Sequence, residues 1–237
     1  MKIDTVTMLV ALSILCLGFS TAMLLTWRFL LPMRALLLWS CGMGCYGIGV
    51  LLVALRDVVP AVLSLTVGNL LLLCCYCLIW IGISIYCGKT PWYRTILMVM
   101  LLFIPCYNWF VWVSPNIAVR TAMVRFFMLF FLGGILATLF GKRSCNLGRM
   151  EKVVAGAFIL DVIFRVTLIA IQLANMSHLE PLQKNMVTGI SSIFSMLTML
   201  TWGVAVVLLA LENTTHELQA VLAEREEQNR QNLLNQN

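Results

Sequence analysis

Charged side chains stand inside long apolar runs of this sequence, and their spacing could bind an anion. Asp161 and Arg165 lie four positions apart, so on a helix they share a face and can form an ion pair. Arg125 has no acidic residue in its own apolar run. Because an arginine can clamp a carboxylate through two parallel hydrogen bonds, these residues predict binding of an anionic group.

Polar groups from four different apolar runs fall at a similar depth: Asn69, Asn108, Arg125 and Arg165. At a rise of about 1.5 Å per residue, each lies roughly 8–14 Å from the outer end of its run. Together with Asp161 they are predicted to form an outward-opening site for a small anionic or amphipathic ligand. The alternative is a buried polar network that only fixes helix packing.

The composition requires that most of the 237 residues face lipid. Hydrophobic residues make up 61% of the chain and charged residues 11%, with a mean hydropathy of +0.95. A soluble domain carries about 25% charged residues. This balance excludes a soluble enzyme fold, a secreted disulfide scaffold and a disordered chain. The nine cysteines are interpreted as small apolar packing residues.

The fold class predicted from these runs is an all-α integral membrane protein, a seven-transmembrane helix bundle. Each run is close to the 20 residues that cross a bilayer as a helix. Short connectors with Pro, Gly or charge separate them. The predicted spans are Val6–Trp27, Ala35–Leu55, Ala61–Tyr86, Thr95–Val113, Ile117–Phe140, Val153–Ala174 and Met186–Leu211.

Basic residues predict the orientation of the bundle, because cytoplasmic loops carry an excess of Lys and Arg. Most loop charges fall on one side: Arg28, Arg34, Lys89, Arg94, Lys142, Arg143, Arg149 and Lys152. We therefore expect a multi-pass protein of the bacterial inner membrane with the N-terminus periplasmic and the C-terminus cytoplasmic. Its expected parts are a membrane domain, 1–211, and a cytoplasmic helical segment, 212–237.

Part of the sequence resembles the seven-transmembrane sensor region of bacterial membrane signalling proteins. The resemblance lies in Leu38–Gly42, Leu55–Pro60, Leu63–Ser64 and Asn69–Leu71, although Asp57 stands where that family usually has Gly. Such regions are usually attached to diguanylate cyclase (GGDEF) or histidine kinase domains. Neither motif follows Leu211 here, so the resemblance implies a sensory module, with any enzymatic activity expected in an output domain absent from this chain.

The segment after the last run is expected to be a signalling helix. It contains no Pro or Gly and many helix formers. Leu211, Leu218, Val221 and Leu222 share a helical face, which predicts pairing in a homodimer and relay of movement from the seventh span. The coiled-coil pattern is interrupted by polar residues, so a solvated terminal helix is the alternative.

Several chemistries are excluded by missing residues. The predicted seventh span has no Lys for a retinal Schiff base, and neither His178 nor His216 lies within a predicted span to ligate haem or zinc. No phosphate-binding loop or hydrolase motif occurs. We expect no catalytic residue, cofactor, metal or nucleic-acid partner. A small transporter or channel is the rival function. It would be expected to carry polar residues in both halves of the membrane, whereas the inner half of these spans is almost wholly apolar.

Overall fold

The computed structural model describes residues 5–29, 32–141 and 149–174, and beyond residue 193 single residues and short stretches, the longest being 200–205 and 221–228. The described part of the chain is helical and contains no strand. The helices are α1 (Thr5–Phe29), α2 (Arg34–Ala54), α3 (Gly68–Tyr86), α4 (Tyr93–Asn108), α5 (Ile117–Phe140) and α6 (Arg149–Ala174).

Within the described residues, six helices are long and apolar enough to cross a membrane, which supports an all-helical, multi-pass membrane protein but not the count of seven spans. They coincide with the first six predicted spans, and the α5 bounds agree at both ends. The predicted seventh span, Met186–Leu211, lies largely outside the described residues. The described positions within it are helical, as are Leu211, Val221 and Leu222, whereas Leu218 lies outside the described residues.

Two of the membrane helices contain a π-helical segment that the apolar pattern did not predict. Val62–Val67 leads into α3, and Trp109–Val113 continues α4. A π-helical turn contains an extra residue compared with an α-helical turn, which widens the helix and redirects the side chains that follow. Such segments are frequent at functional sites. Pro105, which lacks a backbone N–H, lies within α4 one turn before the second segment.

Glycines on two faces of α2 allow both neighbouring helices to approach closely. A Cβ added at Gly49 would lie 2.8 Å from the carbonyl oxygen of Gly68 on α3, and one at Gly47 would lie 2.9 Å from Leu17 on α1. Ser20 and Ser40 each donate a hydroxyl hydrogen bond of 2.8 Å to the other's backbone carbonyl, which ties α1 to α2.

Large aromatic side chains fill the centre of the bundle. Trp39, Tyr76, Phe103, Phe131 and Phe158 are almost fully buried, and each belongs to a different helix from α2 to α6. Such close packing matters because lipid gives no hydrophobic force between helices, and helix association depends on van der Waals contact. These five side chains belong to one hydrophobic core.

Candidate functional site: a cavity lined by arginines

Four arginines line one cavity of about 280 Å³, here named the cationic cavity. It lies where α2 ends, α3 and α5 begin and α4 and α6 end. The lining residues described by the structure include no acidic side chain. They are Val53, Arg56, Ser64, Leu65, Asn69, Tyr107, Ile117, Arg120, Thr121, Val124, Arg125, Met128 and Arg165.

Sequence order places the arginines at successive depths along the cavity. Arg56 is exposed in the turn after α2. Arg120 lies in the first turn of α5, and Arg125 follows five residues, or about 7.5 Å, further along that helix at 1.5 Å per residue. Both are half-buried, whereas Arg165 on α6 is only 7% exposed. The positive charge therefore extends from the membrane surface into the bundle.

Arg165 is held by three helices at once. Its Nε donates to Asp161 Oδ2 at 3.1 Å, one turn back on α6. Nη1 lies 3.0 Å from the sulfur of Met128 on α5, and Nη2 donates to the hydroxyl of Tyr76 on α3. The guanidinium carbon also lies 5.1 Å from the centre of the Tyr76 ring. Because each bond leads to a different element, the position of Arg165 depends on the packing of α3, α5 and α6.

Asp161 lies behind Arg165 and is fully buried. Its Oδ1 is 3.1 Å from Arg165 Nε, but accepts no hydrogen bond of acceptable geometry from the described residues. A buried carboxylate is costly unless it is paired, and Arg165 is the partner that the described part of the chain gives Asp161. Asp161 therefore neutralises Arg165 and does not itself line the cavity.

Two hydrogen bonds beside the cavity connect the end of α4 to the π-helical segment Val62–Val67 and to the start of α3. Thr66 donates to the side-chain carbonyl oxygen of Asn108 at 2.8 Å, and the amide of Asn69 donates to the Tyr107 hydroxyl at 2.9 Å. The first bond joins the segment Val62–Val67 to α4, and the second joins α3 to α4. Asn69 and Tyr107 line the cavity, while Asn108 does not.

The structure thus brings together three of the five residues singled out from the sequence. Asn69, Arg125 and Arg165 line the cavity, Asp161 supports Arg165 from behind, and Asn108 is taken up in the link to Thr66. Sequence reasoning missed several neighbours of the site. They are Arg56, Arg120, Tyr107, Tyr76 and Met128.

A stripe on α5 was the signal that could have revealed Arg120. The lining residues of this helix recur three and four positions apart, the spacing of one helical face. They are Ile117, Arg120, Thr121, Val124, Arg125 and Met128. Arg120 shares this cavity-lining face of α5 with Arg125.

Tyr76 connects Arg165 to the helical stretch 200–205. The Tyr76 ring meets the ring of Trp202 edge-on at 5.3 Å between centroids, and Phe158 of α6 lies 4.4 Å from the same indole. Trp202 is 3% exposed. A Cβ added at Gly203 would lie 2.9 Å from the Phe19 ring, so this stretch also packs closely against α1.

Searches against protein family models, curated proteins and solved structures give no significant match to this chain.

Proposed function

We propose that this chain is the membrane sensory module of a bacterial signalling protein and binds a small anionic or amphipathic ligand in the cationic cavity. The observation that carries this proposal is the double role of Arg165, which lines the cavity and also joins Asp161 to Tyr76. A ligand that changes the bonds of Arg165 acts directly on three helices.

The arrangement of the cavity favours a carboxylate or similar oxygen anion. Its lining carries arginines without an acidic side chain among the described residues, and Asn69 and Tyr107 add polar groups. Met128 sulfur, a weak acceptor, stands 3.0 Å from Arg165 Nη1. A carboxylate oxygen is a stronger acceptor for that N–H, because charge-assisted hydrogen bonds are about twice as strong as neutral ones.

The volume of the cavity limits the ligand to a small molecule. About 280 Å³ lies at the lower edge of the roughly 300–1,000 Å³ of drug-sized binding sites. Val53, Leu65, Ile117 and Val124 add apolar lining among the charged groups. We therefore expect an anion with a short apolar chain to bind more tightly than the anionic group alone.

The same residues suggest how occupancy is relayed. A ligand shifts an equilibrium only if it binds two helix packings unequally. A carboxylate at Arg165 competes with Asp161 and Tyr76 for the guanidinium, and Tyr76 packs on Trp202. We propose that residues 186–211 form a seventh span, and that its movement reaches a cytoplasmic helix, 212–237, paired in a homodimer and followed by an output domain.

Binding of hexanoate tests the cavity, with hexanol as the uncharged probe of equal chain length. We expect calorimetry on the detergent-purified protein to detect hexanoate and not hexanol. Arg125→Met should weaken hexanoate affinity by about tenfold or more, because one charge-assisted hydrogen bond contributes about 1.5–3 kcal/mol. Arg125 is chosen because it lines the cavity.

The matched control is Arg94→Met, which removes an exposed arginine that does not line the cavity. This variant should bind hexanoate as the unchanged protein does. Equal binding of hexanol, or an Arg125→Met variant with undiminished hexanoate affinity, would contradict the proposal. Uptake of labelled hexanoate into sealed vesicles would instead support the transporter.

Cysteine crosslinking tests the relay helix. Leu222 is exposed on the described chain, and Leu222→Cys should give disulfide-linked dimers in native membranes upon oxidation. Hexanoate should change the yield of these dimers, because the ligand alters the packing of the last helix. The chain without the added cysteine controls for the native thiols. An absence of intersubunit crosslinks at Leu222 and at Leu218→Cys would remove the paired-helix hypothesis.

A further inference from the structure

A second cavity of about 630 Å³ opens between α3, α4 and α5 at the end opposite to the cationic cavity, and is here named the Lys89 groove. It lies where α3 ends, α4 begins and α5 ends. Its lining is mainly aromatic and apolar, with one charged group. The lining residues are Trp80, Lys89, Trp92, Thr95, Leu129, Phe130, Gly133, Gly134, Ala137, Thr138 and Gly141.

The floor of the Lys89 groove is rigid because Trp80 is fixed against α5. Its indole Nε1 donates to Thr138 Oγ1 at 2.9 Å. A Cβ added at Gly134 would lie 2.5 Å from the Trp80 ring, so only glycine lets the indole pack at this position. Gly133 faces the open part of the groove, where an added Cβ would meet nothing within 4 Å.

The open side of the groove results from the loose packing of α4. Only Ile96, Phe103 and Tyr107 of this helix are buried. Leu97 and Met98, which follow the groove-lining Thr95 on α4, are exposed on the described chain, as apolar side chains that contact lipid are. Lipid chains are thus the molecules that reach the groove from its open side.

The charged group and an exposed tryptophan both stand at the mouth of the groove. Lys89 follows α3, and its ammonium donates to the backbone carbonyl of Thr138 in the last turn of α5. An ammonium carries three donors, so this bond positions the charge without using all of them. Trp92 is 68% exposed just before α4, a position typical of the membrane–water interface.

We propose that the Lys89 groove binds one anionic phospholipid, with its phosphate at Lys89 and an acyl chain along Gly133 and over Trp80. The positive charge at the interface matches the phosphate headgroup of such a lipid. The apolar lining below it, which opens toward the bilayer, matches the acyl chain. This site is separate from the cationic cavity, shares no lining residue with it, and does not depend on the proposed sensory function.

Native mass spectrometry of the detergent-purified protein tests this site with phosphatidylglycerol, and with phosphatidylcholine as the lipid of no net charge. We expect one phosphatidylglycerol to bind per chain in preference to phosphatidylcholine. Lys89→Gln should lower phosphatidylglycerol affinity by about fivefold, since one lysine near an anionic surface contributes about that factor. Glutamine keeps an N–H donor for the Thr138 carbonyl, so the variant removes the charge and not the donor.

Gly133→Leu tests the acyl-chain part of the groove, because its side chain fills the open space without displacing Trp80. This variant should lose the bound phosphatidylglycerol. Gly156→Leu is the matched control, since an added Cβ on α6 also meets nothing within 4 Å, and it should retain the lipid.

Three outcomes would overturn the phospholipid assignment. Equal retention of both lipids by all variants would show that the groove has no specificity. Displacement of the lipid by millimolar inorganic phosphate would identify a free-phosphate site. Loss of a dimer in Gly133→Leu, with lipid binding unchanged, would show that a second copy of the chain covers the groove.

Discussion

Arg165→Met is expected to lower the free energy of unfolding by about 3–5 kcal/mol, the cost of removing one partner from a buried ion pair. The change leaves Asp161 fully buried with no other hydrogen-bond donor among the described residues. It also removes the bond from Arg165 to Tyr76 that joins α6 to α3. Denaturant unfolding of the detergent-solubilised protein, followed by far-ultraviolet circular dichroism, measures the loss.

Two further variants separate the effect of burial from the loss of a charge. Asp161→Leu combined with Arg165→Met should recover most of the stability, because neither member of the buried pair is then left without the other. Arg56→Gln removes an exposed arginine that lies 3.8 Å from Asp57, and such pairs contribute only about 0–1 kcal/mol. A double variant as unstable as Arg165→Met alone would show that Asp161 is not the cause.

Gly49→Leu should destabilise the bundle by about 1–3 kcal/mol or more, the usual range for overpacking a close interface. The new Cβ would lie 2.8 Å from the Gly68 carbonyl oxygen and 3.2 Å from Leu71 Cβ. The nearest obstacle is backbone, which cannot move aside as a flexible side chain can, so α2 and α3 must separate. The unfolding midpoint and the yield of folded protein measure the effect.

Gly18→Leu provides the matched control for this prediction. An added Cβ at Gly18 meets nothing within 4 Å, and both variants replace a helical glycine with the same side chain. Leucine has the higher helix propensity, so Gly18→Leu should be neutral or slightly stabilising. An equal loss in both variants would mean that helix separation is not responsible.

The membrane helices were predictable from the sequence because lipid imposes one length and one composition on each of them. The predicted span Ile117–Phe140 agrees with α5 at both ends, and Asn116 explains its start. The Asn116 side chain accepts a hydrogen bond from the Val119 backbone N–H at 3.2 Å, as an N-cap residue does. The π-helical segments were not predictable, because hydropathy carries no signal of an extra residue per turn.

The site was predictable in part because charge inside the membrane is costly and stands out in a sequence. The spacing of Asp161 and Arg165 correctly predicted their ion pair. Depth alone could not say which face of each helix a polar group occupies. Asn108 shares the depth of Asn69, yet it binds Thr66 outside the cavity lining. Tyr76 and Met128 have the sequence character of ordinary core residues, and only their contacts with Arg165 mark them as part of the site.

The reciprocal serine bonds between α1 and α2 restrict where the bundle can deform. Sliding or turning one helix against the other breaks both the Ser20 and Ser40 bonds, in a medium without water to replace them. The hairpin formed by α1 and α2 therefore resists deformation more than the other helices of the bundle. The helix that can be displaced most easily is α4, because only three of its side chains are buried and a proline interrupts its hydrogen bonding. We therefore expect α4 to be displaced sideways into the lipid more readily than either helix of the α1–α2 hairpin.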